Sequence, residues 1–308
     1  MSAQVHFLTK PKRSTVLSVE LARTWSTYGP IGKGWLPRVL GRRFCRGMDS
    51  AVVTRSGALL AITPESLDVY CAILARGGTW EPHLIDVCFA MLRPDEVFFD
   101  IGSNTGIFGV ELSKRLNGCL RVHAFEPQHS LAIAIQRSVQ LNHFREFVVH
   151  EVVLGDVERE CLFYTPAHCI HGSLVPRQES AAASKCEMRT LDSVVASSCA
   201  PSPSVVKIDV EGAELQVLQG ARKTFGANPP VIVMEADENM GRFGYGHSEL
   251  FSFLSDLTQY CFYCCDLRKP VRLGGAEPLP FGNYVAIPAL KIEQYRPVLS
   301  ELWQTPLA

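Results

Sequence analysis

Val97-Phe98-Phe99-Asp100-Ile101-Gly102-Ser103-Asn104-Thr105-Gly106-Ile107-Phe108 decides the fold. A strand that is apolar apart from Asp100 runs into a glycine-punctuated turn, and over residues 105–117 Phe108, Leu112 and Leu116 fall on one helical face. Glycines at a strand-to-helix turn let a ligand approach the backbone, and the helix opens with unpaired N–H groups. The spacing is G-x-x-x-G, Gly102 to Gly106, with Asn104 standing where the pyrophosphate-wrapping G-x-G-x-x-G has its second glycine. The turn therefore suits a ligand without phosphates. Asp100 would repel a pyrophosphate and attract an ammonium or a sulfonium, and S-adenosylmethionine carries both cations.

Downstream, apolar strands are expected at residues 121–126, 147–154, 204–210 and 230–235, with helices between the early ones, and residues 261–267 and 283–287 supply two more strands. Strands buried on both faces read as continuous apolar runs, as these do. The pattern predicts an α/β fold with a seven-stranded, mostly parallel, doubly wound Rossmann-like sheet. About fifty residues between the third and fourth strands break the alternation, with an edge hairpin expected at 161–165, a polar stretch at 178–185 and a short helix opening at Thr190. Insertions near the carboxyl edge of a sheet commonly shape substrate pockets. Ahead of the sheet, residues 50–62 read as a hairpin turning at Ser56-Gly57, and residues 81–92 as a helix ended before Pro94.

With 308 residues and 47% hydrophobic content the chain can bury a full core, which excludes a disordered protein. The net charge of -1 conceals a basic arm: residues 1–48 carry nine Lys/Arg and one acid, Glu20, which leaves the remainder at -9. Such an arm attracts nucleic acid, anionic lipid or an acidic domain; a solvated leader is the plainer account. No run reaches the roughly 20 apolar residues of a membrane span, and the N-terminus lacks a signal-peptide core. A cytoplasmic protein is expected, with the arm as its point of peripheral membrane contact. The eleven cysteines are an odd number and several sit in apolar runs, which reads as reduced core residues. Strand periodicity puts Cys261 and Cys265 on one face and Cys264 on the other, and no second Cys/His pair has ligand spacing, so no metal is expected. Four parts follow: the arm 1–48, a hairpin and helix over 49–94 packed on the core, the cofactor-binding domain 95–288, and a tail over 289–308.

Glu126 ends the second strand 20 residues after Gly106, with Pro127 behind it. A carboxylate there can accept both ribose hydroxyls. After the third strand, Leu154-Gly155-Asp156 offers an apolar side chain for an adenine ring and a carboxylate for its amino group. On the fourth strand, Val205-Val206-Lys207-Ile208-Asp209-Val210-Glu211-Gly212-Ala213-Glu214 turns Lys207, Asp209 and Glu211 to one side of the sheet. Ionisable groups there need partners, so Lys207 is expected to pair with a carboxylate. The carboxyl end of a central strand, beside the topological switch point, is where doubly wound sheets keep their ligands. Glu235 and Asp237 close the fifth strand and could join Asp209 around magnesium. His171 and His247, both in glycine contexts, are alternative bases.

Asp100-Ile-Gly-Ser-Asn-Thr-Gly106, Ala124-Phe-Glu-Pro127, Thr190-Leu-Asp-Ser-Val194, Val206-Lys-Ile-Asp-Val-Glu-Gly-Ala-Glu214 and Asn283-Tyr-Val-Ala-Ile287 resemble the successive signatures of FkbM-type methyltransferases, over about residues 95–288. The resemblance implies a class I methyltransferase fold and S-adenosylmethionine as cofactor, held by the Asp100–Phe108 segment with Ser103 among its contacts. It also implies methyl transfer to a hydroxyl of a sugar, glycolipid or polyketide-type molecule. Asp209 is then the first candidate base, with Glu211 orienting the acceptor and Lys207 beside them. A nucleic-acid amino-methyltransferase would carry Asn/Asp-Pro-Pro-aromatic after the fourth strand. Ile208-Asp-Val-Glu211 stands there instead, and Asn228-Pro-Pro230 comes later with Val231 behind it, which disfavours a nucleic-acid acceptor. The readings from other classes are a nicotinamide oxidoreductase, disfavoured by the missing middle glycine, and a scaffold without catalysis, against which the intact Asp209 and Glu211 count.

Overall fold

The computed structural model describes residues 5–7, 50–63, 67–166, 172–176, 180–267, 269–271 and 279–303. Among these residues the strands run β1 Val5–Phe7, β2 Ser50–Val53, β3 Leu59–Ala61, β4 Val97–Ile101, β5 Arg121–Phe125, β6 Phe147–His150, β7 Val153–Leu154, β8 Arg159–Pro166, β9 Ser180–Arg189, β10 Val205–Ile208, β11 Val231–Ala236, β12 Tyr260–Cys264, β13 Lys269–Val271 and β14 Gly282–Pro288. The main sheet has the order β6-β5-β4-β10-β11-β14-β12-β13. Its first five strands are parallel, and β14 enters antiparallel between β11 and β12. The expected doubly wound α/β sheet is present, with β13 as an eighth, edge strand.

The sheet is buried on both faces because its strands are apolar at consecutive positions. Phe98 and Phe99 are fully buried in opposite cores, each contributing about 2–3 kcal/mol by burial. Cys261 and Cys265 likewise pack in one core and Cys264 in the other.

One expectation fails at the insertion. Residues 147–154 are not one strand: β6 pairs with β5, whereas β7 pairs with β9 in a separate three-stranded sheet, β7-β9-β8. As the sheet's edge, β6 has a neighbour on one side alone, so the chain is free to leave after His150; the polar pair His150-Glu151, which interrupts the apolar run over 147–154, marks the place of the break. The stretch over 178–185 enters a strand, β9, paired antiparallel with β8. Residues 182–185 are exposed at consecutive positions, so both faces of this part of the ribbon meet water. The short helix Leu191–Ser198 opens where expected, capped by the Thr190 hydroxyl accepting the Ser193 N–H.

The hairpin β2–β3 turns at Ser56-Gly57, with Gly57 at φ 83°. It is bonded onto two core helices, His129–Asn142 and Ile107–Arg115. Ala61 N–H donates to Ser138 Oγ at 2.9 Å, Leu59 exchanges hydrogen bonds with the Asn142 amide at 2.9 and 2.7 Å, and Ser56 donates through N–H and Oγ to the fully buried Glu111. Within the basic arm, β1 pairs antiparallel with β2. Helix Pro82–Met91 starts on its proline and ends at Leu92, as read. Two helices were not foreseen: Leu67–Ala75, and Ile292–Trp303 in the expected tail, which seats Tyr295 and Leu299 in the core.

Candidate active site

At the carboxyl end of the parallel strands, β4 and β10 are neighbours whose next strands lie on opposite sides, β5 on one and β11 on the other. A cleft of about 1020 Å³, counting the space at its open mouth, lies over this switch point. The turn after β4 forms its floor. Gly102, Asn104 and Gly106 all take left-handed conformations, with φ of 77°, 53° and 75°. The glycines have reasons in the fold itself: a Cβ on Gly102 would collide with the Asp209 carbonyl oxygen, and one on Gly106 would stand 2.8 Å from Ile135. Gly102 lines the cleft, and its lack of a side chain also lets the two loops touch.

Ser103, Asn104, Phe108, Glu126 and Pro127 line the cleft with Gly102, and Leu154 joins them from β7. Both oxygens of Glu126 already hold backbone, accepting Asn104 N–H at 2.8 Å and Gln128 N–H at 2.9 Å. Burial pushes Glu126 up to about 7. Asn104 Oδ1 is buried with no hydrogen-bond partner, a ready acceptor for a ligand N–H or O–H.

Three expected contacts lie outside the cleft lining: Gly106, packed against Ile135, and two carboxylates. Asp100 is 1% exposed and lies beneath the floor, where it accepts the Gly109 N–H at 3.3 Å. Burial pushes it up to about 6, against the pull of Lys207. Asp156 is exposed and absent from the cleft wall, because the chain turns away with β7 toward β9.

At the other end of the cleft stand Lys207, Asp209 and Glu211. Lys207 Nζ donates to Asp209 Oδ2 at 2.8 Å and lies 4.6 Å from the Phe108 ring. Burial works against the ammonium, but Asp209, Asp100 and Glu81 together outweigh it and hold its pKa above the ordinary value. Glu211 sits in a left-handed turn at φ 58°. That turn is braced by Glu214, which accepts the Val210 and Gly212 N–H groups and receives the Tyr245 hydroxyl at 3.1 Å. Burial pushes Glu214 up to about 7.

Glu214 was legible as part of its string but its bracing role was not, because Tyr245 lies 31 residues away. Val69, Ile73 and Trp80 reach the cleft from ahead of the sheet, and Phe163 and Leu174 from the insertion, without a motif to mark them. His247 opens the helix His247–Leu257 and packs on Phe281 at 5.2 Å, outside the cleft lining; His171 lies outside the described residues. Among the described residues no group of three or more His, Cys, Asp or Glu is placed to hold a metal ion, and no helix is long and apolar enough to cross a membrane.

The methyltransferase FkbM domain matches residues 100–261, more than half of the chain and both ends of the cleft. The chain belongs to the FkbM methyltransferase family. Its fold is accordingly the class I methyltransferase fold, and S-adenosylmethionine is the cofactor. This FkbM methyltransferase is 25% identical over 227 residues to the AMB antimetabolite synthetase AmbE of Pseudomonas aeruginosa, which covers 61% of the chain and 10% of that much longer protein. Among solved structures it is similar to methyltransferase FkbM from Methylobacillus flagellatus, with a TM-score of 0.42, 18% identity, and coverage of 72% of this chain and 54% of that one. It is also similar to a precorrin-6y C5,15-methyltransferase from Geobacter metallireducens, with a TM-score of 0.39, 16% identity, and coverage of 68% and 88%. The chain thus spans about a tenth of its curated relative and about half of the FkbM structure.

Proposed function

We propose that the protein O-methylates a hydroxyl of a small molecule, of the sugar, glycolipid or polyketide type. The observation that carries this reading is the Lys207–Asp209 ion pair at 2.8 Å, standing at the head of the cleft with the Asp209 carbonyl oxygen packed against Gly102. Bound S-adenosylmethionine supplies a methyl group that passes to the acceptor oxygen, while the carbon–sulfur electron pair stays on sulfur and the hydroxyl proton is released.

The chain's own residues do the rest. The Glu126 carboxyl at the end of β5 suits ribose hydroxyls, Asn104 Oδ1 suits the cofactor's ammonium, and Phe125 and Leu154 give an apolar wall for its base. Asp209 takes the acceptor's proton, and Glu211 orients the acceptor. Holding both partners in one cleft, aligned for displacement, supplies much of the rate. We also place the protein in the cytoplasm, with the basic arm as its contact with anionic membrane surfaces.

Calorimetry with S-adenosylmethionine, S-adenosylhomocysteine and NAD tests the cofactor half of the reading; tighter binding of NAD would overturn it. Mass spectrometry for a gained methyl group over a panel of sugars, alkyl glycosides and polyketide alcohols tests the acceptor half, and transfer to amines alone would sink it.

A further inference from the structure

The insertion ribbon carries two thiols opposite each other. Cys161 on β8 is the register partner of Cys186 on β9, and partners in a ladder turn their side chains to one face. Tyr164 spends both its N–H and its carbonyl on Ser173, so by alternation Cys161 bonds across to β9. Partners at such a position have α-carbons about 5.5 Å apart, inside the range of about 4.4–6.8 Å that a disulfide spans. The Cys161 thiol donates to the Cys186 carbonyl oxygen at 3.5 Å, and the Ser184 hydroxyl lies 3.7 Å from Cys186 Sγ. Both cysteines are free and half-buried, within reach of a small reagent. Together with Leu174 they pack on a small core of Val153, Phe163 and Met188. Val153, Phe163 and Leu174 are also walls of the cofactor cleft.

We propose that Cys161 and Cys186 form a reversible dithiol–disulfide pair, and that its oxidation by a small-molecule disulfide reshapes the wall of the cofactor cleft. In this they differ from Cys261, Cys264 and Cys265, which are seated in the two cores of the main sheet. Burial, followed by the sulfur of Cys186, pushes the Cys161 thiol up, so Cys161 holds its proton. Cys186 therefore attacks first: its thiolate bonds to one sulfur of the reagent and expels the other as a thiolate. Cys161 then attacks Cys186 Sγ and expels the second thiolate. Two cysteine thiols are oxidised, one disulfide is reduced to two thiols, and the two cysteine protons end on those thiols. The new bond brings β-carbons from the ladder spacing of about 4.5–5.5 Å to about 3.8 Å, so the strands approach by roughly an ångström. The two sulfurs turn toward each other and give up contacts with the small core. A close-packed core transmits such a change, and the Phe163 ring and Val153 shift in the cleft wall. None of this depends on which acceptor the protein methylates.

The test incubates the full chain, without cofactor or acceptor, in mixtures of oxidised and reduced glutathione, then quenches with acid, alkylates the remaining thiols and digests. The expected product is a pair of peptides joined through Cys161 and Cys186, lighter by the two thiol hydrogens and separated again by dithiothreitol. Cys161→Ser is expected to stop at a glutathione adduct on Cys186, and Cys186→Ser to lose the bridge. Calorimetry with S-adenosylhomocysteine is expected to show roughly fivefold weaker binding by the oxidised wild type than by the reduced one. The double variant Cys161→Ser/Cys186→Ser is expected to bind like the reduced protein in both conditions. Three outcomes overturn the proposal: a bridge from either residue to a different cysteine, adducts on both without a bridge, or unchanged affinity in a fully bridged protein. The wild-type measurements need no variant to fold.

Discussion

The α-carbon of Gly102 faces the carbonyl oxygen of Asp209 so closely that a single added carbon would strike it. The cofactor turn and the acceptor strand are therefore one packed unit, joined backbone to backbone. Gly102→Ala is expected to destabilise the protein by about 2–4 kcal/mol, from the collision together with the left-handed φ of 77°. Thermal denaturation reads it directly. A variant as stable as wild type that had lost cofactor binding alone would mean that the glycine serves the ligand and not the packing.

Asp209→Asn keeps the shape of the side chain and removes its basicity. Turnover is expected to drop about a hundredfold or more, with S-adenosylhomocysteine affinity by calorimetry changed much less. Near-normal turnover by the folded variant would move the proton-accepting role to Glu211.

The buried carboxyl groups set the pH dependence of stability. Glu126 and Glu214 at about 7 and Glu235 at about 8 bind their protons more tightly in the folded chain than in the unfolded one, where the ordinary value is 4.5. Their contribution is complete below that ordinary value and is lost as pH rises through the folded values. His123 and His150 work oppositely: burial lowers both, His150 to about 4, so their contribution is complete above 6.5 and lost as pH falls. From pH 6.5 to 8 the carboxyl groups act without that offset, and the melting temperature of cofactor-free protein is expected to fall across this window. A flat or rising profile would contradict the burial of these groups.

The basic arm predicts salt-sensitive pelleting with vesicles containing anionic lipid. Because β1 within the arm pairs with β2, deletion would disturb the hairpin. Replacing the Lys and Arg residues between 10 and 46 by Gln is the cleaner comparison. Equal pelleting of the two proteins, or binding indifferent to salt, would remove the membrane role.

The cleft's two ends were legible because each is local. A turn of five residues and a strand of four carry their own glycines, carboxylates and apolar flanks, and periodicity reads such segments well. What escaped depends on partners far along the chain. Nothing in Val152-Val153-Leu154 says that β7 quits the main sheet, since the deciding partner, β9, begins 26 residues later at Ser180. Asp100 reads as a ligand carboxylate from sequence, yet the helix that follows it folds back and takes its oxygen through Gly109. Asp156 looks equally available until the departure of β7 carries it away from the cleft. Trp80 and Ile73 enter the cleft from a helix and turn whose composition is ordinary.

Ser138 and Asn142 tie β3 to the helix that follows β5, and Ser56 closes over Glu111 on the helix that follows β4. The stretch bearing every recognisable signature thus leans on forty-odd residues bearing none. A chain begun at residue 95 would bare the apolar surface that Leu60, Ile73, Leu84 and Ile85 cover, and would leave the Glu111 carboxylate beside Arg115 without its serine. Grafting this domain onto another protein, or exchanging it with a relative to borrow specificity, must carry residues 50–92 along with it. The piece that can be inherited whole is larger than the piece that can be recognised.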